Sequence, residues 1–123
     1  MLAALLLAAS TCAGWHADVV GSYLGEVESR GPKAIDTVIT ETATGLAGTY
    51  VLHEETRDVT GTLEPLGDAG CEVALFKWTD IYGTGVARLR FHPAQRCFEG
   101  SWGLEEPRAD LPWRSCVRTR MTS

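Results

Sequence analysis

From residue 19 onward, apolar and polar side chains alternate in short runs. No stretch after residue 14 sustains apolar recurrence at i, i+3, i+4 and i+7. Period two belongs to a strand with one buried and one solvated face. The runs predict strands near 19–27, 34–43, 46–53, 57–65, 72–79, 84–92, 96–102 and 112–120. The breaks between them read SRGPK, ATG, EETR, LGDAG, DIYGTG, HPAQR and GLEEPRADLP. Connections this short join antiparallel neighbours, because a parallel crossover needs about a dozen residues or more. The expected fold is all-β: an up-and-down antiparallel meander barrel of about eight strands.

Parity sorts the two faces. Phe76 with Trp78, Leu89 with Phe91, Phe98 with Trp102, and Trp113 with Val117 each share one side of a strand. Opposite them stand Lys77, Arg88, Arg90, Glu99, Arg114, Arg118 and Arg120, so one face is apolar and the other wet. Along the apolar face a glycine repeatedly precedes a large side chain by two positions, as in Gly21-Ser22-Tyr23, Gly48-Thr49-Tyr50, Gly61-Thr62-Leu63 and Gly100-Ser101-Trp102. A glycine there lets the strand coil and leaves a neighbouring ring somewhere to lie, which is how a sheet curves and closes.

The segments GSYLGEV, GLAGTYV, VTGTLEP, FKW, ARLRF and FEGSW together resemble the meander barrels of the avidin-like and lipocalin-like families. The likeness covers residues 19–120 as a pattern. Such repeats are closest to those of small bacterial exported proteins of unassigned function. The resemblance implies a barrel and a habit of binding. It does not imply biotin, since the avidin family contacts biotin through residues that include Asn and this chain has none.

Length and composition narrow the picture. The chain has 123 residues, 45% of them apolar and 22% charged, which suits one globular domain with a single core. Eleven basic against sixteen acidic residues give a net charge of −5, which disfavours nucleic acid as a partner. Leu2–Ala9 (LAALLLAA) is an apolar run of signal-peptide length, too short to span a bilayer. Residues 1–13 are therefore expected to be a targeting segment and 14–123 a single barrel domain, in the bacterial envelope or secreted. Cleavage can follow Ala13. Alternatively, the segment resembles a bacterial lipoprotein signal, with Cys12 lipidated and providing the only membrane attachment. With Cys12 removed or lipidated, Cys71, Cys97 and Cys116 allow one disulfide and one leftover thiol. Cys97 and Cys116 share the outer parity of consecutive strands and are the first-choice pair; Cys71–Cys97 is the second.

No catalytic constellation emerges. The chain lacks G-x-S-x-G, S-x-x-K and H-E-x-x-H, and Gly83-Thr84-Gly85 is a turn without the helix a phosphate loop needs. His16 with Asp18 is too sparse for a metal site, and no cofactor is indicated. Glu54-Glu55 and Glu105-Glu106 read as solvated turns, since adjacent carboxylates do not face each other across a cleft. Trp78, Trp102 and Trp113, with Tyr50 and Phe91, are core residues that can also line a ligand cage at one barrel mouth. Residues 108–123 carry a net charge of +3, either guarding a solvent face or attracting anionic envelope lipid or polysaccharide. The expectation is a non-enzymatic binding module for a small apolar ligand or an envelope component. A protein-interaction or proteinase-inhibitor-like barrel working through its loops is the alternative, and an enzyme without a recognisable motif is a third option. Neither the partner nor the oligomeric state is legible.

Overall fold

The computed structural model describes residues 12–104 and 110–117. The proposed targeting segment up to residue 11, Glu105-Glu106, Arg118 and Arg120 lie outside the described residues. A five-residue helix, α1 (Trp15–Val19), precedes eight strands. These are β1 (Gly21–Glu28), β2 (Pro32–Thr42), β3 (Gly45–His53), β4 (Asp58–Gly70), β5 (Val73–Asp80), β6 (Gly83–His92), β7 (Cys97–Gly103) and β8 (Leu111–Val117). Each pairs antiparallel with its sequence neighbour, and β1 pairs with β8 from Tyr23↔Val117 to Val27↔Trp113, closing the barrel. All eight alternating runs are strands, and their order is the expected meander.

Parity sorts most strand positions as expected. Tyr23, Ile35, Leu52, Leu63, Phe76, Trp78, Leu89, Phe91, Phe98 and Trp113 are buried, whereas Lys77, Arg88, Arg90, Glu99 and Arg114 are exposed. Two local features depart from the pattern. The LGDAG break does not end β4. The strand runs on to Gly70 through register shifts between Pro65 and Gly67 and between Asp68 and Gly70, so bulges absorb the turn residues. Second, α1 has no sustained periodicity to announce it, because a single turn holds only one i, i+4 pair. That pair, Trp15 and Val19, is buried.

The glycines serve two purposes. A methyl group on Gly100 would collide with the Arg88 carbonyl and the Leu89 backbone of the adjacent strand, so this glycine permits close coiling of β6 and β7. A methyl on Gly61 would instead collide with the Tyr50 ring on β3, so this glycine is the ring's resting place.

The closed end of the barrel is sealed by α1. Trp15 packs on Phe91 at 6.0 Å between ring centroids, and Phe91, Phe98 and Tyr23 lie 5.0–6.1 Å from one another. The Tyr23 hydroxyl donates to the Val19 carbonyl at 2.6 Å, which satisfies an otherwise orphaned acceptor at the helix end. A ring nitrogen of His16 lies 2.8 Å from Asp68 Oδ2, so this histidine ties α1 to the bulged part of β4.

The cysteines form two disulfides. Cys97–Cys116 joins directly opposed residues of β7 and β8, as the parity argument expects. Cys12–Cys71 replaces the leftover thiol, and it brings Cys12 into the folded domain beside the β4–β5 turn. The expectation of one bond failed because it removed Cys12 from the count. The two bonds are compatible with an oxidising compartment.

Candidate functional site

Among the described residues the other end of the barrel is open. There the β1–β2, β3–β4 and β5–β6 connections, with Leu104 and Leu111, surround a cavity of about 330 Å³. Its walls are Val27 from β1, Ile35 from β2, Tyr50 and Leu52 from β3, Trp78 and Asp80 from β5, Trp102 from β7 and Trp113 from β8. Its rim adds Ser29, Arg30, Glu54, Tyr82, Leu104 and Leu111. The period-two rule explains the set: these are inward positions on the mouth-side parts of their strands. A smaller hollow of about 120 Å³ lies at the closed end around His16, Leu46 and Asp68.

The cavity brings together Tyr50, Trp78, Trp102 and Trp113 of the five aromatic candidates. Phe91 is placed elsewhere, in the closed-end cluster under Trp15. Strand direction separates them: Phe91 is near the C-terminal end of β6, which points away from the mouth, whereas Trp78 is near the mouth end of β5.

Two of the three indoles are held by the barrel's own backbone. Trp78 Nε1 donates to the Gly103 carbonyl and Trp102 Nε1 to the Glu28 carbonyl, each at 2.9 Å. Their rings meet edge to face at 5.3 Å, and Tyr50 meets Trp113 at 5.6 Å. Among the described residues the Trp113 N–H is buried without a partner, as are the hydroxyls of Thr37 and Ser115 deeper in the interior. Absence of a side chain at Gly85 makes room for the Trp78 indole.

One side of the mouth carries a polar network. The Tyr50 hydroxyl donates to Asp80 Oδ2 at 2.6 Å, and the Tyr82 backbone N–H donates to Asp80 Oδ1 at 2.8 Å. Burial, then the hydrogen bond to Asp80 and its negative charge, push the Tyr50 phenol far above its ordinary pKa, so it stays protonated. The Tyr82 hydroxyl reaches both Glu54 oxygens at 2.7 and 2.8 Å and accepts from Arg57 at 3.2 Å, while Arg57 Nε lies 3.6 Å from Glu54. The β3–β4 and β5–β6 turns are thereby pinned together.

Sequence reasoning missed Asp80, Tyr82 and Glu54. Asp80 and Tyr82 lie in a break of the alternation, and the Glu54-Glu55 pair reads as a solvated turn. Glu54 is in fact half-buried, and Glu55 is exposed. The faint signal was Glu54 three residues before Arg57, but its partner Tyr82 lies 28 residues away.

Among the described residues no group of three or more His, Cys, Asp or Glu is placed to hold a metal ion. The cavity can therefore be described as an aromatic cup with one carboxylate-bearing wall. No family model matches the chain, and neither a curated protein nor a solved structure does.

Proposed function

We propose that the protein is an exported, non-enzymatic binding module that holds a small, largely apolar ligand in the tryptophan-lined cup. The observation that carries this reading is the cup itself. A cavity of about 330 Å³ opens at one barrel end and is walled by three indoles, Tyr50 and aliphatic side chains. Barrels of about eight strands have room for one small ligand, and ligand pockets begin near 300 Å³. The resemblance to avidin-like and lipocalin-like barrels adds the same habit of binding at an open end. The apolar N-terminal run and the two disulfides support export. Of the exported forms we favour one without an anchor and with cleavage ahead of Cys12 rather than after Ala13, because the thiol a lipid would occupy is bonded to Cys71.

The test is a titration with N-phenyl-1-naphthylamine, an uncharged probe that brightens in apolar surroundings. Saturable binding by the wild type, weakened about tenfold or more when Ile35→Phe fills the cup, supports the reading. Binding that ignores Ile35→Phe, or no binding, overturns it.

A second reading, a protein-interaction barrel, is favoured by one observation. Ile81, Tyr82 and Leu104, all on the mouth loops, are 64%, 49% and 73% exposed, an apolar rim that costs solubility unless something covers it. This reading expects Ile81→Ser to abolish a protein contact while leaving probe binding intact.

A further inference from the structure

We propose that the cup selects ligands carrying a positively charged nitrogen on an apolar or aromatic body, with Asp80 as the counter-charge. This rests on reading the cup as a ligand site and concerns the chemistry of what enters it.

The first support is the orientation of the indoles. Trp78 and Trp102 donate their N–H groups to the Gly103 and Glu28 carbonyls. Those edges are therefore occupied, and the rings offer the cavity carbon and π surface. The face of an aromatic ring is the negative end of its quadrupole and attracts cations, tryptophan most strongly.

Charge in the wall is the second support. Asp80 and Glu54 both line the cup, but their circumstances differ. Glu54 has Arg57 at 3.6 Å. Asp80 receives only neutral donors, the Tyr50 hydroxyl and the Tyr82 backbone N–H, and among the described residues no basic side chain pairs with it. Two hydrogen bonds orient the carboxylate, and neither donor brings a charge to cancel its own. The raised Tyr50 pKa has the same origin in part, since a second negative charge beside Asp80 is opposed.

Placement of the one cation among the described lining residues is the third. Arg30 sits on the β1–β2 turn and Asp80 at the end of β5, and in a closed eight-strand meander those two hairpins face each other across the mouth. Arg30 is exposed, so water screens it, whereas Asp80 is half-buried against Tyr50. The attractive site for a cation is thus the Asp80 wall with its adjoining rings.

Three ligands of matched shape test the inference: phenyltrimethylammonium, its uncharged isostere tert-butylbenzene, and benzenesulfonate, each titrated by intrinsic tryptophan fluorescence at low and high salt. The cation is expected to bind about tenfold tighter than the isostere, and the anion weakest. Asp80→Asn, which can still accept the Tyr50 hydrogen bond, should remove that advantage and leave tert-butylbenzene unchanged. If the isostere binds as well as the cation, or Asp80→Asn leaves the cation's advantage intact, charge selection is overturned while the cup survives as an apolar site. If none of the three binds and N-phenyl-1-naphthylamine also fails, both readings fall.

Discussion

The two ends of this barrel are built by opposite means. At the closed end, Trp15, Tyr23, Phe91 and Phe98 fill the interior, α1 seals it, and both disulfides cross it or lie beside it. At the open end the same inward parity supplies three indoles and Tyr50, yet their rings surround a cavity, and the mouth loops expose Ile81, Tyr82 and Leu104. No disulfide reaches the open end among the described residues; the side-chain network from Tyr50 to Arg57 ties two of its turns. A small domain has little stability to spare, so concentrating covalent bonds and close packing at one end leaves the other free to keep a cavity.

The sharpest way to break this comparison is to truncate one aromatic at each end. Phe91→Ala removes a ring that is 1% exposed from the middle of the closed-end cluster and is expected to cost about 3–5 kcal/mol in urea unfolding. Trp102→Ala should cost clearly less, because its ring is only partly buried, but should abolish probe binding. Equal losses from both would dissolve the division between a stabilising and a binding end.

The disulfides come next. Cys12–Cys71 spans 59 residues and Cys97–Cys116 spans 19. Loop-closure entropy assigns them about 4 and about 3 kcal/mol. Paired serine substitutions should reproduce that order, and mass spectrometry of the native protein under alkylation should find no free thiol. A free Cys71, with Cys12 carrying lipid, would show instead that the closed end is anchored to a membrane rather than stapled to itself.

Glycines offer a finer contrast. Gly100→Val should cost about 1–3 kcal/mol by forcing β6 and β7 apart, with probe affinity nearly unchanged in the folded fraction. Gly61→Ala displaces the Tyr50 ring and should weaken probe binding beyond its effect on stability. The reverse pattern would mean that the two glycines have been assigned to the wrong tasks.

The smallest effect belongs to His53, on the outside near the mouth. Its ring nitrogens lie 3.0 Å from Asp58 and 3.3 Å from Asp36, and the hydrogen bond to Asp58 in particular raises its pKa. A raised folded-state pKa stabilises fully below the unfolded value of about 6.5 and is lost as pH rises through the folded one. Because the ring is well exposed, the loss between about pH 6 and pH 8 should be no more than about 0.5 kcal/mol. His53→Gln should flatten that slope in urea melts.

What the chain determined alone was everything that depends on period two. The alternation placed eight strands, their faces, their antiparallel order and the opposition of Cys97 to Cys116, because a strand's pleat decides side-chain direction before any tertiary contact forms. Tertiary structure decided what happens at the ends. Whether an inward aromatic packs or lines a cavity depends on which way its strand runs and what lies above it, so Phe91 and Trp102, of like parity, met different fates. The seal depends on Trp15 and Val19 in a helix too short to have a period, and on a Cys12–Cys71 bond between positions 59 residues apart. Asp80 became the charged wall of the cup only because the barrel carried Tyr50, from a strand 30 residues earlier, to within 2.6 Å of it. Local patterning writes strands and faces; closure alone brings distant residues together, and the candidate site is made of such meetings.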